Sequence, residues 1–239
     1  MSRLKGMKAL LAVISVVTVT GCAATAATPA PHERVAADRI VTRGDSFAIR
    51  VNGERIGTQV VSVGLVGGGY RFTETTTLPQ ASQSTEVLMS RQLEMRRVTQ
   101  RGTRGDQEMR IDVEYQSGRA SGSARIPGQS GMEEHTIDAA VPSDVIDDNV
   151  LASLLPALEW ADDAEHALIV FQSGRNVLGE HRLRVAGSAT VEVPAGRFEA
   201  YRIESTGSDV PLVFYIEKSL PHRLLRIEVQ GTPMDVVRL

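Results

Sequence analysis

The sequence predicts a mainly β fold of half-buried antiparallel strands with one short helix. Three observations predict it: apolar and polar residues alternate along most of the chain, glycine-containing turns separate the apolar runs, and one stretch changes to helical spacing. Of the 239 residues, 42% are hydrophobic and 23% charged, as in an ordinary globular domain. The single cysteine excludes a disulfide scaffold.

Residues 1–21 have the pattern of an export signal. Arg3, Lys5 and Lys8 give the start of the chain a positive charge without any acid, and an apolar run over 9–20 follows. As a helix this run rises about 18 Å, which is too short to cross a hydrocarbon core of about 30 Å. We therefore expect a removable signal and not a permanent membrane span.

The residues Val19-Thr20-Gly21-Cys22 resemble the lipobox of bacterial lipoproteins, in which a small residue directly precedes a cysteine. The resemblance implies that the thiol of Cys22 receives a diacylglycerol, that the signal is cut before this residue, and that the new amino group is acylated. Several fatty chains, such as palmitate, give stable anchoring where one chain does not. The alternative is an ordinary signal peptide and a free thiol, which is a liability in an oxidising compartment.

Location and charge follow from the same resemblance. Ala23 stands where lipoproteins retained in the inner membrane often carry Asp, so an outer-membrane, periplasm-facing location is expected, with inner-membrane retention as the alternative. Loss of Arg3, Lys5 and Lys8 with the signal moves the formal charge from −3 to −6. Because the mature chain is acidic, we expect no nucleic-acid partner.

The mature chain divides into a tether over 22–38 and a single β-rich domain over 39–239. The tether is rich in Ala, Thr and Pro and has no hydrophobic period. In the domain the clearest alternation runs over 109–115, where apolar residues hold the odd positions and charged residues the even ones. The other predicted strands lie near 46–52, 55–65, 69–77, 85–90, 93–100, 119–126, 182–185, 189–193, 197–205, 209–217, 225–229 and 233–238.

Turn residues support these strands. Asn52-Gly53 is a strong two-residue hairpin signal, and Pro194-Ala195-Gly196 marks a second tight reversal. Gly67-Gly68-Gly69 indicates a third turn. It is not a phosphate-binding loop, because neither a helix pattern nor a Lys-Ser/Thr pair follows it.

One stretch breaks the alternation, since apolar residues recur at helical spacing from Val150 to Leu158. We expect a helix of two to three turns. Asp147 and Asp148 precede it and are expected to cap its free N–H groups, and Pro156 should kink or stop it.

Such a short helix is unstable alone, so its leucine face must dock, most simply on the concave side of a strongly curved sheet. These leucines are the predicted ligand-binding residues, as the lining or lid of a concavity for an acyl chain or hydrophobic peptide. They are Leu151, Leu154, Leu155 and Leu158.

The C-terminal part resembles the DUF3108 family of exported bacterial proteins of unknown function. The resemblance lies in the hairpin over 190–204, which contains Val193-Pro194-Ala195-Gly196, in Phe214-Tyr215-Ile216, and in the Pro-led strand over 221–227 with its basic residue. The residues 51–57 are similar to the opening hairpin of the family, and the leucine-rich helix lies between the two parts.

The resemblance spans about residues 46–239. It implies a strongly curved antiparallel sheet or open barrel and carries no catalytic residues. The polar Gly/Ser/Arg-rich region over 101–131 departs from the family pattern, so the strand topology there stays open.

No catalytic or metal-binding motif stands out. The five histidines lack the paired helical spacing of a zinc site, no Gly-x-Ser-x-Gly elbow is present, and the only cysteine belongs to the lipobox. His181 is expected on an exposed strand face. We therefore predict no enzyme, no cofactor and no metal, although acids that folding brings together leave no trace in a sequence.

Two charge features remain. Ten acids and no Lys or Arg lie between Pro127 and Gly174, which we interpret as a solvated acidic rim around the helix and not as a cation site. Six arginines lie between 91 and 110. Their forked side chains suit a phosphate, such as that of a lipid head group or lipopolysaccharide, or they simply face water or pair with the acidic rim.

Together these patterns favour a membrane-anchored periplasmic lipoprotein whose body is a non-catalytic module for a hydrophobic ligand or acyl chain. The alternative is a structural or assembly partner that binds another envelope protein.

Overall fold

A computed structural model describes residues 35, 37–128, 131–208 and 210–239. The predicted signal, Cys22 and most of the predicted tether lie outside the described residues. None of the described helices is long and apolar enough to cross a membrane.

The described residues form fifteen strands in one sheet. Its first eight strands are β1 Arg43–Val51, β2 Glu54–Val66, β3 Gly69–Leu78, β4 Ala81–Ser90, β5 Met95–Arg104, β6 Gln107–Gln116, β7 Arg119–Pro127 and β8 Met132–Ala140. The other strands are β9 Ile146–Asp147, β10 Glu165–Gln172, β11 Val177–Val193, β12 Gly196–Thr206, β13 Leu212–Glu217, β14 Leu224–Val229 and β15 Met234–Arg238. Between β9 and β10, helix α1 (Leu151–Leu154) continues into a 3-10 turn over Leu155–Ala157.

The strand order runs from β8 back to β1, continues with β15, and then runs back to β9. All neighbouring strands are antiparallel except β9 and β10. The first strand thus pairs with the last one, which joins the two halves of the chain in the middle of the sheet. The sheet is not closed, because β8 and β9 lie at its two ends. The predicted mainly β, open and curved sheet is confirmed.

The polar region whose topology the sequence left open is regular. Strands β5 to β8 form an antiparallel meander, and each strand pairs with the next along the chain. The predicted turns also form: Asn52 and Gly53 both have positive φ, at 54° and 80°, as a type I′ hairpin requires.

The main core lies on the inner, concave face of the sheet. Residues of both halves, of α1 and of the 3-10 turn belong to one apolar cluster. The alternation over 109–115 is as expected, because Met109, Ile111, Val113 and Tyr115 are buried while Arg110 and Glu114 are exposed.

A second, smaller core lies on the outer face of the C-terminal half. The β11–β12 hairpin has an irregularity between Val185 and Gly187, and beyond it Val191 and Val193 belong to a cluster with Val213 and other outer-face residues. As a result β13 is buried on both faces. The expectation of half-buried strands is therefore wrong for β13, because a distant hairpin covers its outer face.

Candidate functional site

The predicted ligand-binding leucines fill the concavity. Leu151 is 8% exposed, Leu154 2%, and Leu155 and Leu158 are fully buried. Leu158 forms an isolated antiparallel bridge with Val35. In this conformation the four leucines are part of the core and do not line an open groove.

The helix that carries them is shorter than expected. Helix α1 has one turn, and Val150, the residue before it, makes no side-chain capping bond. The predicted capping by Asp147 and Asp148 is therefore wrong. Asp147 instead lies in β9, where its carboxylate binds other partners, and Pro156 falls in the 3-10 turn that ends the segment.

A buried polar network ties residues 146–158, the leucine segment, to the inner face of the sheet. Tyr115 donates its hydroxyl hydrogen to Asp147 Oδ2. Asp147 Oδ1 accepts hydrogen bonds from the backbone N and from Nδ2 of Asn149, at 2.9 and 2.7 Å. Gln100 Nε2 on β5 donates to Asn149 Oδ1 at 2.9 Å and to Thr85 Oγ1 at 3.0 Å. Three strands of the N-terminal half and the leucine segment thus share one network.

Asp148 forms a carboxyl pair with Asp147 at the edge of this network. Burial, the negative charge of Asp147 and a hydrogen bond with it raise the pKa of Asp148 well above its usual range, against a weaker opposing effect of Arg175. Asp147 itself is completely buried. The predicted solvated rim is therefore wrong at Asp147, because β9 carries this residue into the interior, and the next residue, Asp148, is half-buried.

This arrangement fastens the segment and does not present a reactive group. Asp147 is fully buried, and its oxygens bind Tyr115 and Asn149. Across the described ranges, no group of three or more His, Cys, Asp or Glu side chains is suited to hold a metal ion. The network has no local sequence signal, because Tyr115 and Asp147 are 32 positions apart and Gln100 and Asn149 are 49 apart.

The basic residue of the Pro-led strand stabilises a tight turn. Arg223 donates through Nη2 to Glu217 Oε1 at 3.0 Å and also contacts Oε2 through Nε. His222 Nδ1 lies 2.8 Å from the backbone oxygen of Glu217. Burial acts to raise the pKa of Glu217. Hydrogen bonds from Arg223 and Ser219 outweigh this effect and hold the pKa below its usual range.

The side chain of His181 points into the core and not into solvent as expected. It shares the inner face of β11 with Leu183 and Val185 and is 5% exposed. Burial lowers its pKa, and its Nδ1 has no hydrogen-bond partner among the described residues.

Most arginines of the 91–110 set lie on the surface and several are paired. Arg97 and Arg110 both contact the carboxylate of Asp112, at 2.8 and 3.1 Å. The guanidinium of Arg91 lies 5.8 Å from the centre of the Tyr70 ring. Arg101 lies on the outer face in a different setting, at a hollow that strands β4 to β8 line.

The fold defines an open, curved antiparallel β-sheet protein with a filled interior. The model of a family described as protein of unknown function (DUF3108) matches residues 46–234. The chain belongs to this family, in agreement with the resemblance in its hairpin and Pro-led strand. No curated protein and no solved structure matches the chain.

Proposed function

We propose that the protein is a non-catalytic module of the bacterial cell envelope that acts as a structural or assembly partner for another protein. Lipid chains on Cys22 hold it at the outer membrane on the periplasmic side. The observation that carries the proposal is the burial of the four leucines in the concavity, because a filled interior leaves the outer face and the sheet edges for binding.

An energy comparison supports this choice over an acyl carrier. Burial of one leucine side chain contributes about 1.5–3 kcal/mol, so exposing four costs about 6–12 kcal/mol. A chain of about 14–16 methylenes gains at most about 11–13 kcal/mol at 0.8 kcal/mol each. The Tyr115–Asp147 network must also break, and association itself costs at least about 4 kcal/mol in lost translational and rotational freedom, so little net gain remains for an acyl chain.

The open edge of the sheet gives the partner a place to bind. At one end, β9 has two residues, and both are fully buried. At the other end, β8 has nine residues and no strand beyond it in the described sheet. An extended segment of a partner can add to such an edge. Glu133, Glu134 and Asp138 are exposed on β8 and favour a basic segment, although Glu134 and Asp138 also contact Arg125 and Arg119 of β7, and such charges disfavour indiscriminate pairing.

Site-specific photo-crosslinking in growing bacteria tests this proposal. A photoreactive residue replaces the exposed Thr136 on β8, and a matched variant carries it at the exposed Ser188 on β11. We expect one protein adduct from position 136 that weakens in high salt, because charge contacts are screened, and none from position 188. Equal adducts from both positions, or no response to salt, would contradict the proposal.

Binding of a hydrophobic ligand is the second candidate. It is favoured by the small amount of regular secondary structure in the leucine segment, which has a two-residue strand and one helical turn. In this case the segment is a lid that leaves when an acyl chain enters.

A reversible lock separates the two candidates. Val35 and Leu158 are bridge partners, and antiparallel partners have the Cα spacing that a disulfide needs. In the double variant Val35→Cys, Leu158→Cys, a mobile lid predicts that a fluorescent fatty acid binds the reduced protein and not the oxidised one. The filled interior of our first proposal predicts binding to neither form.

A further inference from the structure

Three arginines lie side by side on the outer face of the sheet. Arg101 on β5 is the direct cross-strand partner of Arg110 on β6, and Arg110 is the partner of Arg125 on β7. The row continues to Ser84 on one side and to Glu134 on the other. Like charges directly opposite each other destabilise a sheet, so a row of three needs compensation.

The row is only partly compensated. Arg110 contacts Asp112 at 3.1 Å, and Arg125 lies 3.8 Å from the largely exposed Glu134. Arg101, in the first position of the row, makes neither an ion pair nor a side-chain hydrogen bond to any described residue. An anion between Arg101 and Arg110 would relieve their repulsion.

Two acids diagonal to Arg101 are engaged elsewhere, and the third, Glu108 on β6, makes no ion pair with it. Glu86 and Asp112 lie diagonal to it on the neighbouring strands, where they could have paired with it. Glu86 instead contacts Arg71 at 3.0 Å, and Asp112 contacts Arg97 at 2.8 Å. The guanidinium of Arg101 is therefore left for a group from outside the chain.

The arginines border a hollow of about 760 Å³, which is large enough for a phosphorylated small molecule. Two acids, Glu108 and Glu134, also line it, so three positive charges face two negative ones. Hydroxyl groups that can donate hydrogen bonds to an anion surround the row. They belong to Ser82, Thr103, Ser123 and Thr136.

We propose that this hollow binds a phosphate group, with Arg101 and Arg110 as the residues that hold it. A guanidinium fork donates two parallel hydrogen bonds to phosphate oxygens, which a point charge such as Lys does not. Arg125 adds charge from the next strand, and Ser123 and Thr103 supply hydroxyls at the sides. The site does not depend on the protein partner proposed above.

The phosphate belongs to a soluble ligand or to a lipid head group, and the fold gives the two sources different access. Val35, the first described residue, bridges Leu158 on the inner side, and Tyr70 at the start of β3 binds the oxygen of Ala37 nearby. The hollow lies on the outer face towards the opposite end of the strands, beside the β5–β6 turn. The hollow and the start of the described chain therefore lie at opposite ends of the strands.

Calorimetric titration of the lipidated protein in non-ionic detergent with inorganic pyrophosphate tests the site. We expect one pyrophosphate per chain, with an affinity about tenfold lower in Arg101→Gln, since a hydrogen bond to a charged group contributes about that factor. Arg96→Gln is the matched control, because Arg96 is exposed on the same strand, away from the hollow, and its loss changes the net charge equally. Arg101→Lys should recover only part of the affinity.

A second arm adds phosphatidylglycerol to the micelles. Competition with pyrophosphate in the wild type assigns the site to lipid head groups, and unchanged binding assigns it to a soluble phosphate compound. Equal losses in Arg96→Gln and Arg101→Gln would show that only net charge attracts the anion and would overturn the proposal, as would the absence of pyrophosphate binding. Thermal melts of each variant check that these surface changes leave the fold intact.

Discussion

The hydroxyl of Tyr115 on β6 donates a hydrogen bond to the fully buried carboxylate of Asp147 on β9. Burial and the negative charge of Asp147 raise the pKa of Tyr115, so the hydroxyl keeps its proton and remains a donor. This contact connects the inner face of the N-terminal half to the end strand of the other half, and it holds the leucine segment in the concavity.

Tyr115→Phe should destabilise the protein by about 1–3 kcal/mol, because it leaves a buried carboxylate oxygen without its donor. The urea midpoint of unfolding measures the loss. Tyr201→Phe is the matched control, since the Tyr201 hydroxyl has no hydrogen bond within the described part of the chain, and its midpoint should stay unchanged. Equal midpoints for the two variants would mean that the contact does not stabilise the fold.

Asp148 should make the protein less stable as the pH rises. Its folded pKa lies above its unfolded value, so the stabilising contribution of protonated Asp148 is complete below the unfolded pKa and is lost as the pH rises through the folded pKa. From about pH 4 upward, the free energy of unfolding should fall more steeply for the wild type than for Asp148→Asn. Urea titrations across this range measure the slopes, with the exposed Asp163→Asn as control. Parallel curves for wild type and Asp148→Asn would contradict the buried carboxyl pair.

The ion pair between Arg223 and Glu217 should give the opposite pH dependence of stability, and Arg223→Gln tests it. Because the folded pKa of Glu217 is lowered, this group stabilises the fold above its unfolded pKa, and the effect is lost as the pH falls through the folded value. The variant should lose stability at pH 7 and approach the wild type in acid. Arg182→Gln, which breaks exposed ion pairs only, should change stability little at either pH. A loss in Arg223→Gln that is independent of pH would argue against this ion pair.

The leucine segment should behave as core. Leu154→Ala and Leu158→Ala are each expected to cost about 2–5 kcal/mol, because both side chains are buried. Leu220→Ala, at a position 73% exposed, should change stability by less than about 0.5 kcal/mol. Chemical denaturation measures all three. If the two buried variants unfold like the control, the segment does not pack in solution as it does in the structure.

Local pattern predicts much of this fold. The alternation over 109–115 identifies the inner face of β6, and Asn52-Gly53 identifies the first hairpin, because both depend on neighbouring residues. The buried side of His181 could also have been read from Leu183 and Val185, which share its parity on β11. The prediction of an exposed face rested on the charged residue beside it, Glu180, which lies on the other face of the strand.

Other features depend on contacts that sequence spacing does not reveal. The burial of Asp147 follows from the position of β9 over β5 and β6, and the two-sided burial of β13 follows from the β11–β12 hairpin. The Arg101–Arg110–Arg125 row appears only with the strand register, since sequence numbering alone does not show which arginines are opposite each other. The predicted leucine site is real as a cluster, but its role in binding stays a prediction.

The most direct test of the account is the mass of the N-terminal peptide of the mature protein, extracted from membranes and measured by mass spectrometry. We expect this peptide to begin at Cys22, to carry a diacylglycerol on sulfur and to have an acylated amino group. An N-terminus at another residue, or an unmodified Cys22, would contradict lipid anchoring and with it the proposed place of this protein in the envelope.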